Sequence, residues 1–181
     1  DFGVETIFND NKSITISKIN RHNLQPTTYN LKSSPDITQT IAITCFGLGI
    51  ACYLTGLHTL KIKETDRLEA LKTELTKLGA IISVTNDSLF LTSPPLEGCP
   101  KDGVVSPMET HIKDGVVSPQ NESTINMVDI DTYQDHRMAM AFAPLALKTS
   151  LIINEAEVVS KSFPTFWEDL KSIGFQFTEI K

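Results

Sequence analysis

Two stretches of this chain follow one pattern, and that repetition limits what the chain folds into more than any other feature. Each begins with an acid that opens an apolar helix, Asp36 in the first and Asp135 in the second. Each continues through a strand-like run to a lysine, Lys63 or Lys161, that precedes an amphipathic helix. Those helices stop at Leu78-Gly79 and Ile173-Gly174, and a strand-like run follows each stop. The acids lie 99 residues apart and the lysines 98. Two copies of a β-α-β-α-β-β unit explain this economically, over approximately 13–92 and 125–181. Coincidence between two α/β stretches is the alternative on periodicity alone. The predicted class is therefore α/β (α+β), built of repeated units that need a stacked neighbour to bury their faces.

Local patterns fill in the units. Gly3 to Phe8 and Ser13 to Ser17 read as a hairpin turned at Asn9-Asp10-Asn11. Ser34-Pro35-Asp36 opens a helix that is apolar nearly all round from Ile37 to Ala51, so it is expected to be buried. Tyr53 to Ile62 reads as strand around Gly56. The clearest helix runs from about Thr65 to Leu78, with Leu68, Leu71, Leu75 and Leu78 on one face and Gly79 as its stop. Ile81 to Val84 and Leu89 to Thr92 form a second predicted hairpin, turned by Asn86-Asp87. In the second copy, Ile125 to Ile130 reads as strand, Asp135 to Leu147 as helix and Leu151 to Ile153 as strand. Pro164 to Ile173 reads as an amphipathic helix with Phe163, Phe166, Trp167, Leu170 and Ile173 on its apolar face. Phe175 to Thr178 is expected to close the chain as a strand.

The segment 93–124 interrupts this scheme. It is rich in Pro, Gly, Ser and acids, and Lys101 to Pro107 (KDGVVSP) recurs as Lys113 to Pro119. So long a loop is uncommon inside a compact domain. It is expected to be a duplicated, mobile surface insertion, with an assembly artefact as the alternative.

Composition narrows the function classes. The 181 residues are 40% hydrophobic and 21% charged, as in a soluble globular protein. A net charge of -6 argues against a general nucleic-acid binder but leaves room for a small anion held by a local cluster of cations. Cys45, Cys52 and Cys99 form no metal-binding or redox motif and read as reduced, mostly buried thiols of a cytoplasmic protein. The longest apolar run, Ile41 to Leu54, is too short to span a membrane. The chain opens Asp1-Phe2-Gly3 without a methionine or a signal pattern, and is expected to be a piece cut from a longer protein.

Three clusters carry chemistry. In Lys63-Glu64-Thr65-Asp66-Arg67-Leu68, Thr65 or Glu64 is placed to cap the helix, and Arg67 falls in its first turn. A helix N-terminus already carries partial positive charge, so a cation is misplaced there unless an anion binds. Composition alone favours the plainer alternative, a surface arginine paired with Glu64 or Asp66. Asp135-His136-Arg137-Met138-Ala139-Met140 repeats the arrangement, with Asp135 as cap and His136 and Arg137 in the first turn. One misplaced arginine is noise, whereas two at helix starts form a pattern. In Ser160-Lys161-Ser162-Phe163-Pro164, Lys161 is read at a strand end just before a helix, with an ordinary exposed loop lysine as the alternative. Asp36 and Glu64 also lie at helix starts, where acids are stabilising without any function. As catalysts they would move protons in a site crowded with cations.

The segments KETDRL (Lys63 to Leu68) and DHRMAM (Asp135 to Met140), with Lys161-Ser162-Phe163-Pro164 and Pro35-Asp36 in the same order, resemble the signatures of the 3-phosphoshikimate 1-carboxyvinyltransferase (EPSP synthase) family. The resemblance covers most of the chain outside the insertion. It implies an enolpyruvyl transferase fold of two domains, each of three β-α-β-α-β-β units, closing on substrate about a hinge. This chain is similar to two of the three units of the carboxy-terminal domain. The implied activity is transfer of the enolpyruvyl group from phosphoenolpyruvate to the 5-hydroxyl of shikimate 3-phosphate. By the same resemblance Arg67, Arg137 and Lys161 hold phosphoenolpyruvate, with His136 beside that anion. Lys63 contacts shikimate 3-phosphate, Asp36 binds the attacking hydroxyl and serves as base, and Glu64 delivers a proton to the methylene carbon. No cofactor or metal is implied.

The family commonly has asparagine four positions before the signature lysine, and here that position is Thr59. The amino-terminal domain, which supplies most shikimate 3-phosphate contacts, is the implied missing partner, so the isolated chain is expected not to turn over. The competing readings are an inactive fragment that still binds small anions and the related UDP-N-acetylglucosamine enolpyruvyl transferase. The KETDRL and DHRMAM segments speak against the latter.

Overall fold

A computed structural model describes residues 2–10, 12–19, 24–63, 65–92 and 127–178, and the predicted insertion 93–124 lies outside the described residues. The chain divides into two compact units, Asp1–Pro94 and Pro95–Lys181.

In the first unit, β1 (Val4–Asn9) and β2 (Ser13–Lys18) pair antiparallel from Val4↔Lys18 to Asn9↔Ser13, with Asp10 in the left-handed region at the turn. They form a two-stranded sheet of their own. A second sheet has the order β3-β4-β6-β5, from β3 (Thr27–Asn30), β4 (Cys52–Thr55), β5 (Ile81–Val84) and β6 (Ser88–Thr92). The short strand β3 escapes a sequence reading. It is an edge strand of Thr, Thr, Tyr and Asn, half-buried at alternate positions, and carries no apolar run.

β3 and β4 are parallel, Thr27↔Cys52 to Asn30↔Thr55, which requires a crossover rather than a tight turn. The crossover is a 310 turn (Pro35–Ile37) running into α1 (Thr38–Leu48). Ala42, Ile43, Cys45 and Phe46 of α1 are buried, whereas Thr40 and Leu48 are exposed, so the burial expected all round holds for most of the circumference only. The helix ends at Gly49, short of the predicted Ala51. Between β4 and β5 the chain makes a 310 turn (His58–Ile62), in place of the strand read there, and then α2 (Arg67–Lys77).

The α2 cap is Asp66, not Thr65 or Glu64. Its carboxylate accepts from the Leu68 and Glu69 amides at 3.1 and 3.2 Å, satisfying two N–H groups that a hydroxyl one residue earlier does not reach. Leu68, Leu71 and Leu75 are fully buried as their spacing predicts. Glu74 is also fully buried, and Lys77 reaches it at 2.7 Å. Gly79 ends the helix at φ 89, with the Ala80 amide donating to the Leu75 carbonyl at 3.0 Å. From β3 to β6 this unit reads β-α-β-α-β-β.

The second unit opens in the same way. β7 (Val128–Ile130) and β8 (Leu151–Ile153) are parallel, and α3 (His136–Phe142) crosses between them. The predicted continuous helix to Leu147 tightens to a 310 turn over Ala143–Leu147, where Pro144 has no N–H to continue the α ladder. A 310 turn (Ala156–Lys161) and α4 (Phe166–Ser172) follow. Ala139, Ala143, Val158, Val159 and Phe166 make the core, with Met140, Ile153, Trp167 and Leu170 against it. Ile173, predicted on the apolar face of α4, is largely exposed. Residues 175–178 are irregular rather than a strand. Their aromatic rings turn to one another and to Trp167 instead, with Phe177 and Trp167 at 5.3 Å and Phe175 and Phe177 stacked at 6.3 Å.

Candidate functional site

Within each unit, the predicted site residues follow the carboxyl ends of the parallel strands. Asp36 comes after β3, Lys63 and Arg67 after β4, His136 and Arg137 after β7, and Lys161 after β8. In open α/β sheets, ligands bind at that end, because crossover connections leave the strands there and helix N-termini face it.

The first unit joins three of these residues through one oxygen. Arg67 Nη1 donates to Asp36 Oδ1 at 2.8 Å, and Lys63 Nζ lies 3.4 Å from the same atom. The Arg67 side chain is only 2% exposed, against 40% for Asp36 and 35% for Lys63. A guanidinium so deeply placed needs a carboxylate partner, and the 310 turn that leads into α1 supplies it. Arg67 thus bonds across the fold to Asp36, while Asp66, a neighbour proposed for it on sequence grounds, is engaged in capping α2. Glu64 lies outside the described residues.

In the second unit, Asp135 is fully buried and caps α3, its carboxylate accepting from the Arg137 amide at 2.9 Å. His136 Nδ1 is 3.9 Å from the same carboxylate oxygen. The approach to this cap is a backbone feature the sequence does not announce. Tyr133 and Gln134 are consecutive non-glycine residues in the left-handed region, at φ 54 and 58. Such strain persists only where its surroundings over-determine it, and here buried Thr132 and the Asn154–Asp131 bond at 2.8 Å hold the loop. Lys161 is the exposed last residue of its 310 turn, not a strand end, because the chain tightens into that turn over six residues after β8. The Trp167 indole donates to the Ala156 carbonyl at 2.9 Å and ties the turn to α4.

Sequence reasoning also passed over an open cleft of about 400 Å³ at the ends of β3 and β4, lined by Asn30, Lys32, Thr55, Gly56, His58 and Asp87. It is separate in lining from the Asp36 cluster. His58 Nδ1 is 3.5 Å from Asp87 there. Two further buried polar groups, the Gln39 amide and the Thr59 hydroxyl, have no hydrogen-bond partner among the described residues. The described residues contain no cluster of three or more His, Cys, Asp and Glu side chains suited to a metal, and no described helix is long and apolar enough to cross a membrane.

Chemically, the cluster offers a carboxylate, two cations and the N-terminus of α2 within one small region of the first unit. That set suits an anionic ligand with a hydroxyl to be deprotonated nearby.

The family model of EPSP synthase (3-phosphoshikimate 1-carboxyvinyltransferase) matches residues 2–170. The 3-phosphoshikimate 1-carboxyvinyltransferase of Bacteroides fragilis is 44% identical over 142 residues, covering 78% of this chain and 28% of that protein. Its counterpart in Methanoculleus marisnigri is 35% identical over 146 residues, 80% of this chain and 28% of that protein. The structure of EPSP synthase from Acinetobacter baumannii superposes with a TM-score of 0.55 at 27% identity, covering 77% of this chain and 27% of that one. The chain thus spans about 28% of the length of these curated relatives.

Proposed function

The chain belongs to the EPSP synthase family, with its enolpyruvyl transferase fold, and from that premise we propose that it supplies part of the site that transfers the enolpyruvyl group of phosphoenolpyruvate to the 5-hydroxyl of shikimate 3-phosphate. The observation that carries this reading is the shared Asp36 oxygen, with Arg67 at 2.8 Å and Lys63 at 3.4 Å, at the carboxyl ends of β3 and β4.

The donor carries a carboxylate and a phosphate, so several cations must hold it. In this reading Arg67, Arg137 and Lys161 do so, assisted by the helix N-termini at which the two arginines lie. His136 stands beside the same anion, and Lys63 meets the phosphate of shikimate 3-phosphate. Asp36 accepts a hydrogen bond from the attacking 5-hydroxyl and takes its proton. As the hydroxyl oxygen bonds to the central carbon, Glu64 gives a proton to the terminal methylene. The tetrahedral intermediate then expels phosphate, and the new methyl group gives a proton back. Fixed cations around the donor stabilise the charge that moves to the departing phosphate.

The rest of the cleft belongs to an amino-terminal domain, the proposed partner of this chain. Without it the chain holds substrate groups but does not orient both reactants, so turnover is absent. Calorimetric titration of the chain with phosphoenolpyruvate tests the half-site. Weak binding is expected, reduced by Arg137→Ala and by Lys161→Ala. Unchanged binding in either variant removes that residue from the site, and absence of binding in the parent chain removes the half-site itself.

A further inference from the structure

Arg137 stands in the first turn of α3, and Lys161 ends the 310 turn that follows β8. Each of these elements leaves the carboxyl end of a parallel strand through a short loop, 131–135 after β7 and 154–155 after β8. The two loops are tied to one another. The Asn154 side-chain amide donates to Asp131 Oδ1 at 2.8 Å, and the Asn154 backbone amide donates to the Ile130 carbonyl at 2.9 Å. One residue further along each loop, the hydroxyl of fully buried Thr132 lies 3.5 Å from Glu155 Oε2. The loops then pass directly into the helical turns that carry the cations. The Asp135 amide donates to the Thr132 carbonyl at 2.9 Å, and the Val158 amide to the Glu155 carbonyl at 3.1 Å.

Backbone strain concentrates at the same place. Among the described residues four non-glycines have positive φ, and three of them, Tyr133, Gln134 and Glu155, lie in these two loops. Left-handed backbone is costly for a residue with a Cβ, so it persists only where neighbouring contacts hold it. A hydrogen bond as open to solvent as that of Asn154 with Asp131 adds little to global stability. Its position across two strained loops suits it instead to fixing direction. We infer that Asn154 is a positioning residue for anion binding, one that sets the loop after β7 against the loop after β8 so that Arg137 and Lys161 meet one ligand together. The inference rests on the reading that both cations hold phosphoenolpyruvate. Asn154 acts through the loops and does not touch the ligand. Without its bridge the cations must be ordered during binding, and that cost is subtracted from affinity.

The test has one arm without ligand and one with phosphoenolpyruvate. In the ligand-free chain, Asn154→Ala should speed hydrogen exchange at the Asp135 and Val158 amides together and leave the amides of α4 unchanged. In calorimetric titration, Asn154→Ala should weaken phosphoenolpyruvate binding about fivefold. In a Lys161→Ala background it should change affinity little, because one remaining cation has no partner to be aligned with. A general structural role would lower affinity equally in both backgrounds, and that result would overturn the inference. So would unchanged exchange at the two amides, or faster exchange with unaltered affinity. A parent chain that binds no phosphoenolpyruvate while the exchange result holds would sink the half-site reading and take the ligand of this pair with it. The two failures are thereby told apart.

Discussion

Arg67 and Asp36 are 31 residues apart in sequence and meet at 2.8 Å, the arginine buried and the aspartate part-exposed. The two charges are therefore unequal in what they lose if separated. Removing the aspartate leaves a guanidinium in the interior without this carboxylate, so Asp36→Ala should destabilise the first unit by about 3 kcal/mol. Lys63 touches the same oxygen from a more open position, and Lys63→Ala should cost less than about 1 kcal/mol. Urea unfolding midpoints of the two variants measure the difference. Equal losses would mean that burial does not set the strength of this cluster.

This pair also marks what the sequence could and could not convey. The misplaced charge of Arg67 at a helix start is legible from KETDRL alone, because capping and dipole arguments are local. Its partner is not legible, since the pairing depends on the parallel register of β3 and β4 that brings the start of α1 beside the start of α2. The long amphipathic helix α2 and its Gly79 stop were readable, as was the hairpin of β5 and β6. β3 was not, being a four-residue edge strand without an apolar run. The setting of Lys161 eludes a local reading for a related reason. Val158 and Val159 look like strand residues, yet they are buried within a 310 turn against α3 and α4.

The caps of α2 and α3 should differ in the same direction as their burial. Asp66 caps α2 from a part-exposed position, and Asp66→Ala should cost about 1 kcal/mol. Asp135 is fully buried and caps α3 through the Arg137 amide, so Asp135→Ala should cost nearer 2 kcal/mol, at the upper end of cap losses. Thermal unfolding of both variants, with hydrogen exchange of the first-turn amides of each helix, reads these losses separately.

Gly49 and Gly56 both occupy the left-handed region, at φ 70 and 78, but only one has room for a side chain. A Cβ at Gly49 meets nothing within 4 Å, so Gly49→Ala should cost only the conformational penalty, about 1 kcal/mol. At Gly56 the same atom falls 2.6 Å from the Lys32 amide nitrogen and 2.8 Å from Asn30 Oδ1. Backbone must move there, and Gly56→Ala should separate the ends of β3 and β4. A clearly larger drop in unfolding temperature for Gly56→Ala than for Gly49→Ala is the expected result.

The two hairpins of the first unit give the last contrast. Phe8 pairs with Ile14 and Thr6 with Ile16, as Val84 pairs with Leu89 and Ile82 with Leu91. Gly3 and Gly79 precede them, both at positive φ. Alternation alone makes the two hairpins equivalent, yet Ile14 and Ile16 are 56% and 70% exposed while Leu89 and Leu91 are fully buried. The difference is tertiary. β6 has β4 on its other edge and lies in the sheet that α2 packs against, whereas β1 and β2 form a sheet of two strands. Burial, not strand propensity, should then decide the cost of substitution. Leu91→Ala should destabilise by about 3 kcal/mol through lost packing and the cavity left behind. Ile16→Thr keeps a β-branched residue on an exposed strand and should change stability by less than about 0.5 kcal/mol. Chemical denaturation of the two variants compares them directly, and a large loss for Ile16→Thr would show that the first hairpin is covered in solution.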